Sequence, residues 1–224
     1  MTYSTFLDKL IDCAEEDFSD FQRRLIFTDR KILGVRTPKL RQLAKELYSE
    51  MDELLSFPDE YYETVFIKLA VIARLPYKQF VEKLSYSVSL IDCWALCDSF
   101  KALCIQSNRQ DFLQQLETIF RKGTEFSQRY VLVTLLSEYV HEEFLSVLEE
   151  YIFRADTKPY YVHMAVAWLV AEILVKHYEF GLNLLKTQKL PAKTHNKAIQ
   201  KAIESFRLTQ KQKEYLRSLK IKQK

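Results

Sequence analysis

The stretch IDCWALCDSF, residues 91–100, sets Trp94 four residues before Asp98. In a helix that spacing puts both side chains on one face. A core helix keeps its carboxylates in water, whereas a tryptophan brings a large apolar body to bury. Side by side, an aromatic plate and an acid suit a different task, the holding of positive charge. A ring face attracts cationic character by about 0.5–2 kcal/mol, depending on desolvation. A carboxylate fixed nearby stabilises charge that develops in a reaction and can orient a water.

Two rows of cations stand elsewhere. Arg36, Lys39, Arg41 and Lys45 recur at near-helical spacing, as do Lys193, Lys197, Lys201 and Arg207. Stacked along one groove, such rows neutralise several phosphates and bind less tightly as salt rises. The charge is unevenly divided. Residues 186–224 hold twelve Lys/Arg and two Glu, a net +10, and the rest of the chain is net −7. That asymmetry points to a polyanion partner. No element reads as a recognition helix or finger, so recognition is expected through backbone and shape rather than base edges.

Other chemistries find little support. Cys93, Cys97 and Cys104 cluster on an apolar helical pattern and Cys13 stands apart, with no second cysteine or histidine pair at zinc-ligand spacing. They read as small buried hydrophobes with free thiols. His141, His163, His177 and His195 are scattered, so no metal is assigned. No glycine-rich phosphate loop or nucleophile elbow is present, and no cofactor is expected.

The elements that must position these groups are helices. Three glycines and five prolines are few for 224 residues, which favours long helices and short polar loops. Apolar residues recur at helical spacing in Phe6, Leu7, Leu10, Ile11 and Ala14, then in Leu40, Leu43, Ala44 and Leu47. Val65, Leu69, Ile72 and Ala73 repeat the pattern, as do Ile199, Ala202, Ile203 and Phe206. Thr37-Pro38 reads as a cap followed by a first-turn proline, and Gly34, Gly123 and Gly181 fall between helical patterns. About a dozen helices in antiparallel pairs of roughly 35–40 residues predict an all-α, HEAT-like repeat α-solenoid over residues 1–224 as a single domain. A compact bundle is the competing architecture. No apolar run reaches the roughly 18 residues of a membrane helix, and the N-terminus lacks the pattern of a signal peptide. A cytoplasmic monomer with no membrane contact is expected.

The chain also resembles a known family, the DNA alkylation repair proteins with HEAT-like repeats. The resemblance runs through KILGVRTPKLRQLAKEL (31–47), IDCWALCDSF (91–100) and FSQRYVLVTLL (126–136). It continues through YYVHMAVAWLVAEI (160–173) to KTHNKAIQKAIESFRLT (193–209). It implies a C-shaped stack of helix pairs with duplex DNA in a concave basic groove. The implied activity is excision of cationic alkylpurines such as N3-methyladenine and N7-methylguanine. By motif position, the functional trio falls on Trp94, Asp98 and Trp168, and a backbone-contacting arginine falls on Arg129.

An N-alkylated purine is already a cationic leaving group, and its loss develops positive charge on the deoxyribose, as in other oxocarbenium-like reactions. The trio then reads as two sugar-flanking rings and one stabilising carboxylate. Three features depart from the family pattern. Cys93-Trp94-Ala95 stands where Trp-Trp-Asp is typical, Ala171 replaces an arginine, and DCAEEDFSDFQ (12–22) is acidic. Two alternatives follow: a non-catalytic DNA-binding paralogue, or a helical-repeat scaffold for a protein partner.

Overall fold

The computed structural model describes residues 1–222, and the chain divides into two compact units, Met1–Asn108 and Arg109–Lys224. Among the described residues there are fourteen α-helices and no strand, only the isolated bridges Ala14–Val35 and Lys31–Tyr61.

The first unit holds α1 (Tyr3–Ile11), α2 (Glu16–Leu25), α3 (Thr37–Glu46) and α4 (Met51–Ser56). It continues with α5 (Tyr62–Ile72), α6 (Tyr77–Ser89) and α7 (Trp94–Ser99). Helix α5 is central, packing against α3, α4, α6 and α7. It is apolar almost all round, as a helix buried on every side must be. Val65, Phe66, Ile67, Leu69, Val71 and Ile72 are all buried.

Two ionisable residues on α5 are buried with them, and each holds a loop. The Glu63 carboxylate accepts hydrogen bonds from the amides of Leu33 (3.0 Å) and Gly34 (2.9 Å). The Lys68 ammonium donates to the carbonyls of Leu55 and Phe57 and to the Asp59 carboxylate at 2.8 Å. Buried charge is tolerated where such partners satisfy it.

The loop gripped by Glu63 in turn fixes α2. Gly34 has φ +92°, a left-handed conformation that favours glycine, and a Cβ there would lie 2.4 Å from the Glu15 carbonyl oxygen. The Glu15 amide donates to the Gly34 carbonyl, and the Ser19 hydroxyl to the Ile32 carbonyl at 2.8 Å.

The second unit holds α8 (Arg109–Phe120), α9 (Glu125–Glu138), α10 (Leu145–Arg154) and α11 (Tyr160–Lys176). Helices α12 (Tyr178–Lys186), α13 (Ala192–Glu204) and α14 (Gln210–Ser218) complete it. Here α11 is central, between α9 and α13, with α10 and α12 also against it. His163 on α11 meets Thr194 on α13, with Nδ1 3.0 Å from Oγ1. His195 and Asn196 on α13 bond to backbone at Leu219 and Ile221, tying the chain beyond α14 to that helix.

Helix starts follow the prolines. Pro76, Pro159 and Pro191 each occupy the N-cap position, before α6, α11 and α13. Three local expectations are corrected. Arg36, not Thr37, caps α3, because Thr37 already has helical conformation. Gly181 lies inside α12 rather than between helices; its missing Cβ lets α12 approach α11, since a Cβ would sit 2.9 Å from Leu174. Phe206 lies past the end of α13 and is fully exposed, so the apolar period of that helix stops at Ala202–Ile203.

Candidate active site and nucleic-acid interface

Helix α7 is only six residues long, with Cys93 as its N-cap and Trp94 as its first residue. The expected core helix over 91–100 is therefore a single short segment, and Cys104 falls in a separate 3₁₀ turn, Leu103–Ile105. A short helix serves the site well. Leu96 and Cys97 anchor it in the core, and Trp94, Ala95, Asp98 and Ser99 on the other side are half-buried.

Trp94 is fixed from outside its own helix. Its indole Nε1–H donates to the carbonyl oxygen of Leu25, the last residue of α2, at 2.9 Å. Beside it opens a cleft of about 350 Å³. Tyr62 and Phe66 of α5 are buried at it, and Phe18, Phe21, Gln22 and Leu25 of α2 line it. Trp94, Asp98, Arg41 and Thr37 complete the lining. The rings of Phe18 and Phe21 stack at 6.1 Å.

The acids of the N-terminal segment have their own arrangement. Glu15, Glu16, Asp17 and Asp20 are exposed, whereas Ser19 and Gln22 are buried. Arg36 holds Glu15 through Nε and Nη2 at 2.7–3.0 Å, and its guanidinium carbon lies 4.6 Å from the centre of the Phe18 ring. That hydrogen-bonded pair lowers the Glu15 carboxyl from its ordinary value and raises the Arg36 guanidinium.

A second cleft, of about 760 Å³, shares Arg41, Asp98 and Ser99 with the first and adds Arg74, Lys101, Leu103 and Cys104. Arg41, Arg74 and Lys101 are exposed. Asp98 thus lies where an aromatic cleft adjoins a cationic one. Arg74 and Lys101 escaped the sequence reading because they belong to no row. Each is a lone cation two residues beyond the end of a helix, α5 or α7. Of the α3 row, Arg41 lines both clefts, Lys45 is exposed, Lys39 is half-buried and Arg36 is engaged with Glu15.

In the second unit, Trp168 on α11 is half-buried and lies against Arg129 of α9. The Arg129 guanidinium carbon is 5.1 Å from the Trp168 ring centre and 5.6 Å from that of Tyr161. Its Nη1 donates to the Tyr161 carbonyl at 3.0 Å. At 1% exposure, Arg129 braces the tryptophan from within the core. Along α13, Lys193 is exposed and Lys197 half-buried, while Lys201 pairs with Glu204 at 2.9 Å. Arg207 is bound by Glu172 through two contacts, at 3.0 and 2.6 Å.

A family model described as DNA alkylation repair enzyme matches residues 7–206. The chain belongs to that family. Comparison with curated proteins gave no match, and neither did comparison with solved structures. Membership in the DNA alkylation repair enzyme family implies a DNA substrate. In this DNA alkylation repair enzyme, Trp94 and Asp98 share one cleft, Trp168 and Arg129 form one braced pair, and the cations divide between α3 and α13. Among the described residues, no group of three His, Cys, Asp or Glu side chains is placed to hold a metal ion. No described helix is long and apolar enough to cross a membrane.

Proposed function

We propose that the protein is a DNA glycosylase that releases cationic alkylpurines, N3-methyladenine and N7-methylguanine, from duplex DNA. The observation that carries the reading is the position of Asp98, a carboxylate beside the Trp94 ring on the border of a cationic cleft, in a chain of the DNA alkylation repair family. The C1′–N bond breaks and its electron pair leaves with the base, which departs neutral. Positive charge appears on the deoxyribose, stabilised by the Asp98 carboxylate and the Trp94 face. Water then adds to C1′ and its proton passes to Asp98 or to solvent. Because the leaving group is already cationic, the step calls on no metal or cofactor. Trp168 offers a second ring to the sugar, and Lys39, Arg41, Lys45, Lys193 and Lys197 hold phosphates. The helix pairs of each unit are read as HEAT-like repeats, the whole acting as one monomeric domain.

A second reading, a DNA-binding paralogue without excision, draws on Arg36, which Glu15 already engages, and on Ala171 near Trp168. The deciding experiment is base release from a duplex with a single N7-methylguanine, under single-turnover conditions with excess protein. The glycosylase reading expects release above the spontaneous rate, lost in Asp98→Asn with binding retained. Equal release by wild type and Asp98→Asn would sink the mechanism. No release with salt-sensitive binding would leave the second reading.

A further inference from the structure

Small-molecule sites run to about 300–1,000 Å³, mostly apolar, with a few placed polar groups. The cleft beside Trp94, at about 350 Å³, is at the lower end of that range, too small for a duplex and suited to one heterocycle. Its lining is ring upon ring, and two of its apolar side chains stand open to solvent, Phe21 at 54% and Leu25 at 46% exposure.

Gln22 supplies a second, independent observation. It lines the cleft, is only 7% exposed, and its Oε1 accepts no hydrogen bond among the described residues. An amide acceptor left buried and unpaired is costly, and such a group is relieved by a ligand that brings a donor. Purines carry one in their exocyclic amino group, which glutamine pairs with in many nucleic-acid complexes.

The neighbouring cleft gives the third component. Arg41, Arg74 and Lys101 line it, and it meets the aromatic cleft at Arg41, Asp98 and Ser99. One nucleotide fits this order of chemistry: base among rings, sugar by the carboxylate, phosphates by the cations.

We propose that the cleft walled by Phe18, Phe21, Tyr62, Phe66 and Trp94 takes a single cationic purine turned out of the duplex. Its amino group donates to Gln22, its sugar lies over Asp98, and its flanking phosphates lie along Arg41, Arg74 and Lys101. This rests on the glycosylase reading and adds to it a base pocket. Turning out a base costs least when its pairing is already weakened by damage. A cage of aromatic faces then favours the cationic base over a neutral one. Lesion selectivity arises in the pocket as well as in the chemistry.

The test uses the full chain and duplexes of one sequence. One carries 6-thioguanine in a mispair, for cross-linking under long-wavelength light. A second carries N7-methylguanine on a fluorinated sugar that resists cleavage, and a third is undamaged. The expected cross-link falls on the α2 segment containing Phe18 and Phe21 or on Trp94. Phe21→Ala, a change at an exposed side chain, is expected to lower the preference for the N7-methylguanine duplex roughly tenfold, the scale of one lost stacking partner. Gln22→Leu is expected to weaken purine capture likewise. Cross-links confined to other segments, or an unchanged preference in both variants, overturn the base pocket. If base release still depends on Asp98 in that event, the glycosylase reading stands and the pocket alone is wrong. Absence of any duplex binding would bring down both.

Discussion

Trp94 is held by a residue sixty-nine positions away, its indole N–H donating to the Leu25 carbonyl at 2.9 Å. The ring that the sequence sets beside Asp98 takes its orientation from the end of α2, a helix whose composition alone suggests avoidance of DNA. Glu63 grips the loop that locks α2, and α2 in turn fixes Trp94.

Trp94→Phe keeps an aromatic face and removes the donor. The bond is near the surface, so the stability cost should be small, about 0.5–1.5 kcal/mol by urea denaturation. Base release should fall more than duplex binding does, because the freed ring no longer holds one orientation beside Asp98. A Trp94→Phe protein with full release rates would show that the Leu25 contact is only structural.

Glu63 gives a sharper stability prediction. Its carboxylate is wholly buried and bonds to the Leu33 and Gly34 amides. Glu63→Ala leaves those donors without their acceptor and should cost about 3 kcal/mol or more, whereas Glu63→Gln retains an acceptor and should cost less. Gly34→Ala should also destabilise, since φ +92° and a Cβ 2.4 Å from the Glu15 carbonyl oxygen both oppose a side chain. All three variants should lower purine-specific cross-linking along with stability, because the same loop positions α2. Wild-type stability in Glu63→Ala would refute this account of the loop.

How far the sequence revealed the molecule depends on the range of the signal. The α-helical class was legible because apolar spacing and proline placement are local. Leu40, Leu43 and Ala44 are buried on α3, and Pro76, Pro159 and Pro191 mark three helix starts. The Trp94–Asp98 spacing was legible for the same reason. The aromatic wall on α2 was not, because Phe18, Phe21 and Gln22 sit among acids and only the fold sets them beside Trp94. Burial of Arg129 was hidden too. An arginine reads as a surface residue unless its ring partners, here Tyr161 and Trp168, are known.

Arg129 therefore carries the third prediction. A guanidinium packed on two rings and bonded to a carbonyl is planar, and lysine cannot reproduce the contact. Arg129→Lys and Arg129→Met should each destabilise the protein by about 2–4 kcal/mol, as expected for disrupting a buried charged contact. In a Trp94→Phe background, where Trp168 is the only tryptophan, its emission should shift to the red as the ring loosens. Loss of DNA affinity without any change in stability or emission would instead assign Arg129 to the phosphates.

Two buried groups set the pH response. Burial, with Lys193 and Lys197 nearby, holds the His163 imidazole below its ordinary value. Between the folded and unfolded values the unfolded state binds more protons, so this group's stabilising contribution is present above the ordinary histidine value and lost as pH falls below it. The Cys93 thiol is pushed the other way, up to about 12 by burial. Its contribution is present below the ordinary thiol value and lost as pH rises toward 12. At pH 8 roughly one Cys93 in ten thousand is thiolate, so alkylation there should proceed only through opening of the fold. Cys13, half-exposed, should label first, Cys104 more slowly because burial also raises its thiol, and Cys93 and Cys97 last. Mass spectrometry of partly alkylated protein checks that order, and rapid native labelling of Cys93 would mean that the anchored face of α7 opens far more readily than its packing implies.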